Sequence, residues 1–353
     1  MTEPITLDER LVSAATHSLE LLSVHLGERL GLYSEIRARG SLTPPELATG
    51  AGIDARYARE WLEQQAVAGF LAVDDPAAGP DDRRYHLPDA HAGALHDPSA
   101  ADHVAPLARM VVGIAKVIDD VIAAYRTGDG VPFARYGEDL RAGQAAINRP
   151  AFTTALVEEW LPAAGDLADR LRAGGRIADL GCGAGWSTIA LAGAFPDATV
   201  VGIDADAASI EDARANAAAA GVAVQLEAID ADRLTDHGPF DAVLILEALH
   251  DMARPADVLR AARRSLAAGG AVIVADEAVA DAFTAPGDEI ERMMYGWSIL
   301  HCLPASMTER PSAAIGTVIR ESTVRDLASE AGFESVEVLP VDGGFFRLYR
   351  LVG

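Results

Sequence analysis

The sequence predicts an α/β protein: a mostly parallel sheet wound with helices in its C-terminal half, preceded by a mainly helical domain. Three observations predict it. From about residue 176 onward, short apolar runs alternate with stretches of helical periodicity, the pattern of βα units. One run, Ile177-Ala-Asp-Leu-Gly-Cys-Gly-Ala-Gly185, turns through a glycine-rich corner straight into a helical stretch. The front of the chain carries helix-capping signals and two short strand-like segments instead. With 353 residues the chain can build two domains with cores of their own. The boundaries are expected at 1–100 for the helical domain, 101–160 for a helical linker and lid, and 161–353 for the sheet.

Residues 7–32 place Leu11, Ala15, Leu19, Leu22, Leu26 and Leu30 at helical spacing, one long amphipathic helix. A turn at Gly31-Leu-Tyr-Ser and a short helix to Arg39 follow. Thr43 caps the next helix, prolines fill its first turn, and Glu46 completes a capping box; Gly50-Ala-Gly52 ends it. Asp54 caps a further helix reaching about Gly69. Segments 70–73 and 84–87 read as two strands of a small wing around an Asp/Pro/Gly-rich loop. Residues 104–125 read as one helical stretch and 127–132 as a loop. The segments around Phe133 and 146–150 form a linker before a helix over 152–160.

In the second half, strands are expected over 176–180, 199–203, 222–229, 240–246 and 271–275, with Gly269-Gly270 breaking the chain before the last. Helices follow the glycine corner and cover 209–220, 255–266 and 322–331. Residues 335–339 and 345–351 close the chain as a hairpin-like pair. The run Phe240-Asp-Ala-Val-Leu-Ile-Leu246 is continuously apolar apart from one acid, as a strand buried on both faces should be. Met293 to Pro304 reads as a short helix ending at the proline. In an open α/β sheet, ligands sit beyond the carboxyl ends of the strands. Asp179, Asp204, Asp230, Glu247 and His250 all fall at or just past such ends, so the alternation brings them to one rim.

The glycine spacing is Gly-x-Gly-x-Gly, not the Gly-x-Gly-x-x-Gly of dinucleotide binders. Asp179 ends the strand before it, and Asp204 ends the next strand about 20 residues beyond the loop, where such sheets place a carboxylate for ribose hydroxyls. This combination resembles the class I S-adenosylmethionine-dependent methyltransferases. The resemblance implies a Rossmann-like seven-stranded methyltransferase sheet in the order 3-2-1-4-5-7-6, its last-but-one position antiparallel. It implies S-adenosylmethionine as cofactor, held by Asp179, Gly181, Cys182, Gly183, Asp204, Ala205, Asp230, Ala231 and Glu247. A winged-helix-like front half joined to such a sheet is similar to plant small-molecule O-methyltransferases and bacterial natural-product methyltransferases. There the front domain forms a homodimer and helps to cover the substrate. Tyr136, Asn148, Arg149, Tyr295 and Trp297 are candidates for the substrate wall, with ordinary packing as the alternative for each.

His250-Asp251 follows the fourth strand. An imidazole with an ordinary pKa near 6.5 suits a general base at neutral pH. The plant O-methyltransferases carry a His-Asp pair in the corresponding place, which implies that His250 deprotonates an accepting hydroxyl, with Asp251 or Glu277 orienting it. A second histidine, His301, lies about fifty residues on. That pattern resembles bacterial 2-oxo-acid C-methyltransferases, and it implies that His250, Asp251 and His301 hold a divalent metal, iron or zinc, that binds the oxo acid. Cys302, directly after His301, departs from that family.

The net charge of −24 opposes nucleic acid and anionic membranes. The candidate recognition helix 54–69 holds Arg56 and Arg59 but also Asp54, Glu60 and Glu63, unlike a helix that reads a polyanion. A winged-helix regulator sensing its ligand through a non-catalytic fold is the alternative of another class. Lys116 is the only lysine, which argues against Schiff-base chemistry. Two cysteines make no disulfide framework. No apolar run of about 18 residues is present, and Met1-Thr-Glu-Pro carries no signal-peptide pattern; a cytoplasmic location is expected.

Overall fold

A computed structural model describes residues 6–353, so the segment Met1-Thr-Glu-Pro lies outside the described residues. The chain divides into two compact units: residues up to Ala115 with Glu138–Pro150, and Lys116–Gly137 with Ala151–Gly353.

The first unit is helical because its caps and apolar spacing agree. The helix Leu7–Arg29 opens on a capping box from Thr6 and Glu9, and Pro44–Ala51 opens on the expected box from Thr43 and Glu46. Asp54 caps Ala55–Val67 by accepting from the Arg56 and Tyr57 amides. Such a cap is worth about 1 kcal/mol. The turn expected after Gly31 is confined to that glycine, at φ 66°; Leu32–Arg39 is already helical. The wing is β1 (Ala72–Val73) paired antiparallel with β2 (Tyr85–His86), and Leu42 bridges to Tyr85. Val24, Leu32, Ile36, Leu47, Leu62 and Tyr85 lie in the core of this unit.

The expected helix over 104–125 is in fact two, Pro106–Lys116 and Ile118–Thr127, separated at Val117, whose ψ of 16° leaves the helical region. The segment Phe133–Pro150, expected as linker, is helical on both sides of a break at Gly137. Pro150 removes one amide from the ladder, and the chain continues through Ala151–Trp160 in wider, π-type turns.

The second unit is built on seven strands: β3 (Arg176–Leu180), β4 (Thr199–Asp204), β5 (Gln225–Ala228), β6 (Phe240–Leu246), β7 (Leu266–Glu277), β8 (Ser335–Val338) and β9 (Phe346–Val352). Their order is β5-β4-β3-β6-β7-β9-β8, the order that the methyltransferase resemblance implies. β9 alone runs antiparallel to its neighbours β7 and β8. Alternate residues of β6 serve two cores: Val243 and Ile245 face one, Ala242, Leu244 and Leu246 the other. Burial on both faces explains its unbroken apolar run. The expected break at Gly269-Gly270 does not occur. β7 runs through both glycines, and its register with β6 shifts between Phe240 and Ala242, a bulge that absorbs them.

Pro304 does not end its helix either. Glu289–Trp297 continues into wider turns over Ser298–Cys302 and then Leu303–Ser306. A proline clashes with the carbonyl four residues back, here that of Leu300. The wider turns release that group, and the Tyr136 hydroxyl donates to it at 3.0 Å.

Candidate active site

The glycine corner forms because β3 must turn at once into the helix Trp186–Ala194. Gly181, Gly183 and Gly185 take φ values of 72°, 52° and 79°, left-handed conformations that favour glycine. Gly181 and Cys182 donate their amides to the Ile203 carbonyl of β4, at 2.8 and 3.1 Å. Asp204, at the end of β4, fixes the rest: its Oδ2 accepts from the Gly183 amide and its Oδ1 from the Asp206 amide, both at 2.8 Å. Each oxygen keeps a lone pair for another donor. No atom lies within 4 Å of where a Cβ on Gly183 would stand, so this face of the corner is open. Burial raises the Asp204 pKa, against the opposing effect of these two amides.

Asp179 is buried beneath the corner. Ser187 and Thr188, in the first turn of the following helix, both donate to its Oδ2 at 2.6 Å. Burial raises its pKa, with the two hydroxyls opposing. Asp179 thereby ties strand to helix. Cys182 is buried, and burial pushes its thiol well above the ordinary range. Beside it, β4 needs a glycine: a Cβ on Gly202 would meet Leu226 Cδ2 at 2.8 Å, Thr188 Oγ1 at 2.9 Å and Cys182 Sγ at 3.0 Å. Ala205 and Asp230 are exposed, and Ala231 is half-buried. Asp230 precedes the short turn Ala231–Asp236 after β5.

The corner and the histidine turn meet. A Cβ on Gly181 would come 2.7 Å from the Ala248 Cβ, two residues before His250. Glu247 makes that bend with a φ of 51°, a strained value for a side-chain-bearing residue. Burial raises its pKa to about 8. His250, in the turn Leu249–Asp251, is buried. Its Nδ1 lies 2.5 Å from Asp276 Oδ1 and 3.4 Å from Glu277 Oε2, while its Nε2 lies 3.3 Å from Asp251 Oδ1. Burial opposes the imidazolium, but the carboxylates of Asp276, Glu277 and Asp251 outweigh it and raise the His250 pKa well above its ordinary value. Burial also raises Glu277; Asp276, despite equal burial, is held low by His250.

Asp276 is not among the site residues expected from the sequence, yet it makes the shortest contact to His250. Asp276-Glu277 closes β7 as two adjacent acids, and adjacent strand residues point to opposite faces. Asp276 Oδ2, Glu277 Oε2 and Asp251 Oδ1 are buried without a hydrogen-bond partner. Among the described residues, two groups of three bring their ligating atoms within 4.8 Å of one another: His250–Asp251–Cys302 and His250–Asp276–Glu277. His301 is in neither.

His301 is buried edge-on to Tyr136, ring centroids 4.6 Å apart, and its Nε2 has no partner. Burial lowers its pKa. Tyr136 is likewise buried, with its hydroxyl spent on Leu300. Tyr295 is partly exposed and lines an open cleft of about 350 Å³ with Phe283, Pro286 and Arg292. Trp297 is half-buried in the same helix. Asn148 and Arg149 belong to the first unit.

Residues 171–323 match the family model described as a methyltransferase domain, and residues 18–96 match one described as an Rv2258c-like winged HTH domain. A ubiquinone biosynthesis O-methyltransferase of Pseudomonas aeruginosa is 38% identical over 104 residues, covering 29% of this chain and 44% of that protein. The chain thus spans less than half the length of the curated relatives it matches. Human N-acetylserotonin methyltransferase, solved in complex with SAM, has a TM-score of 0.68 and 17% identity, over 100% of this chain and 99% of that one. The mitomycin 7-O-methyltransferase MmcR has a TM-score of 0.65 and 19% identity, over 98% and 97%. At these identities the likeness shows the fold alone.

Proposed function

We propose that this chain, which carries a methyltransferase domain behind a winged helix-turn-helix domain, transfers the methyl group of S-adenosylmethionine to a hydroxyl of a small molecule. The observation that carries the reading is the juncture of two features: a glycine corner gripped by Asp204, and, against it, a buried histidine whose Nδ1 is pinned by Asp276. The bound cofactor supplies an electrophile that is already activated, so the protein has to position, desolvate and deprotonate.

Each part of the rim has work to do. The second lone pairs on Asp204 suit two ribose hydroxyls, and Gly183 admits a close approach. Asp230 and Ala231 stand at the next strand end, where the adenine would lie. Asp179 acts through the loop it anchors. With Asp276 accepting from Nδ1–H, the neutral form of His250, favoured above its raised pKa, presents the Nε2 lone pair to the acceptor hydroxyl and takes its proton; the surrounding carboxylates stabilise the imidazolium that forms. Burial of the cluster keeps water from competing for that proton. Glu277 and Asp251 complete the ring of charge.

The acceptor is read as a small molecule, not a nucleic acid. In the candidate recognition helix, Arg56 pairs with Glu60, and Arg59 lies 3.5 Å from Asp81, so its cations face carboxylates. A homodimer is proposed through the helix Leu7–Arg29, whose Leu7, Leu11, Leu19, Leu22 and Leu26 are exposed along one stripe. Among the described residues, no helix is long and apolar enough to cross a membrane.

The test is transfer of isotopically labelled methyl from S-adenosylmethionine to a panel of hydroxylated aromatics and hydroxy acids, read by mass spectrometry. Transfer by the wild type that falls at least 100-fold in His250→Ala supports the reading. Equal transfer by both proteins removes His250 as the base.

A further inference from the structure

We infer that the Nε2 side of His250 is a zinc site in which Cys302, not His301, supplies the third ligand. The sequence resemblance joins His250 and Asp251 to His301. The geometry joins them to Cys302: the ligating atoms of His250, Asp251 and Cys302 all lie within 4.8 Å of one another. Tetrahedral ligands at about 2.0–2.3 Å from one ion lie about 3.3–3.8 Å apart, so side-chain rotations that draw the groups together by about 1 Å close the site. His301 takes a supporting place instead. Its Nδ1 lies 3.4 Å from the Cys302 sulfur, where an N–H can donate to a thiolate.

Two further observations point to a cation. Asp276 holds Nδ1 of His250 at 2.5 Å, which leaves Nε2 as the ligating nitrogen and builds the carboxylate–histidine–metal arrangement of metal sites. Asp251 Oδ1 is buried without a hydrogen-bond partner although it lies 3.3 Å from that Nε2. Such an oxygen is costly in isolation, and an ion between it and the imidazole satisfies both. Imidazole nitrogen, carboxylate oxygen and thiolate sulfur together select zinc over magnesium or calcium. Binding exchanges the Cys302 thiol proton for the metal and releases it to solvent. The ion occupies the nitrogen assigned above to the base, so zinc acts as an inhibitor. That consequence rests on the proposed function; the site itself does not.

The test uses cobalt(II) as a spectroscopic substitute in metal-stripped, full-length protein. Expected are uptake of one ion per chain, a thiolate-to-cobalt charge-transfer band, and displacement by zinc but not by magnesium. Cys302→Ser should lose the band and weaken zinc binding at least tenfold, whereas His301→Gln should keep the band. No uptake, uptake without the band, a band that survives in Cys302→Ser, or its loss in a folded His301→Gln overturns the inference. X-ray absorption at the zinc edge of the wild-type protein needs no variant: one sulfur at about 2.3 Å is expected, and a shell of nitrogen and oxygen alone overturns it. Calorimetry with S-adenosylhomocysteine on the same stripped protein separates the two claims. Nucleoside binding without the band defeats the zinc site only, and the band without nucleoside binding defeats only the methyl-transfer reading.

Discussion

Asp204 and Asp276 carry the account at the scale of single residues, and each makes a prediction. Asp204 can hold ribose hydroxyls only as a carboxylate. Its folded pKa is raised by burial, so affinity for S-adenosylhomocysteine is full above that raised pKa and is lost as pH falls through it. Asp204→Asn should flatten this acid limb, and a titration series by calorimetry from neutral to acidic pH reads the difference. Unchanged acid limbs in both proteins would remove Asp204 from the grip. Asp276 fixes the tautomer of His250. Asp276→Asn should therefore lower kcat by about 10²–10⁴-fold with a much smaller change in KM, measured by steady-state methyl transfer. Asp204 is legible in the sequence because strand ends of a parallel sheet share one rim. Asp276 is less so: two acids sit side by side at the end of β7, and only the register of Leu246 with Ala275 places the first of them against His250.

At the scale of elements, β4 and the glycine corner are packed without slack. Gly202→Ala adds a methyl against Leu226, Thr188 and Cys182, and should destabilise the sheet unit by about 1–3 kcal/mol, seen as a lowered Tm in calorimetry. An unchanged Tm would show that these neighbours yield freely. The strands were readable where burial is two-sided, as in β6, because apolarity then needs no periodicity. The capped helices were readable because Thr43 with Glu46, and Asp54, state their start points chemically. Two misjudged elements share one cause, a local breaker overruled by its surroundings; the split of 104–125 at Val117 is the opposite case, a break with no local breaker. Gly269-Gly270 reads as a stop, yet β7 passes through it on a bulge. Pro304 reads as a helix end, yet wider turns free the Leu300 carbonyl and Tyr136 accepts the role of donor to it. Neither remedy is visible without the partner segment.

For the whole molecule, charge and exposed surface set the expectations. The chain carries a net charge of −24, and its winged unit spends Arg56 and Arg59 on carboxylates; fragments of genomic DNA should not be retarded at moderate salt, and specific retardation would favour a regulator. Leu11 and Leu19 are 64% and 67% exposed on the first helix. Replacing both by glutamate should reduce the sedimenting mass from twice 37.0 kDa to 37.0 kDa; a monomeric wild type, or an undisturbed dimer, would place any interface elsewhere. The strand order was legible only through resemblance, since alternation alone does not order a sheet. The most direct measurement is calorimetric titration of the intact protein with S-adenosylhomocysteine. One saturable site per chain, weakened about tenfold or more in Asp204→Asn, is the predicted result; no heat of binding, or affinity that Asp204→Asn leaves untouched, would contradict it.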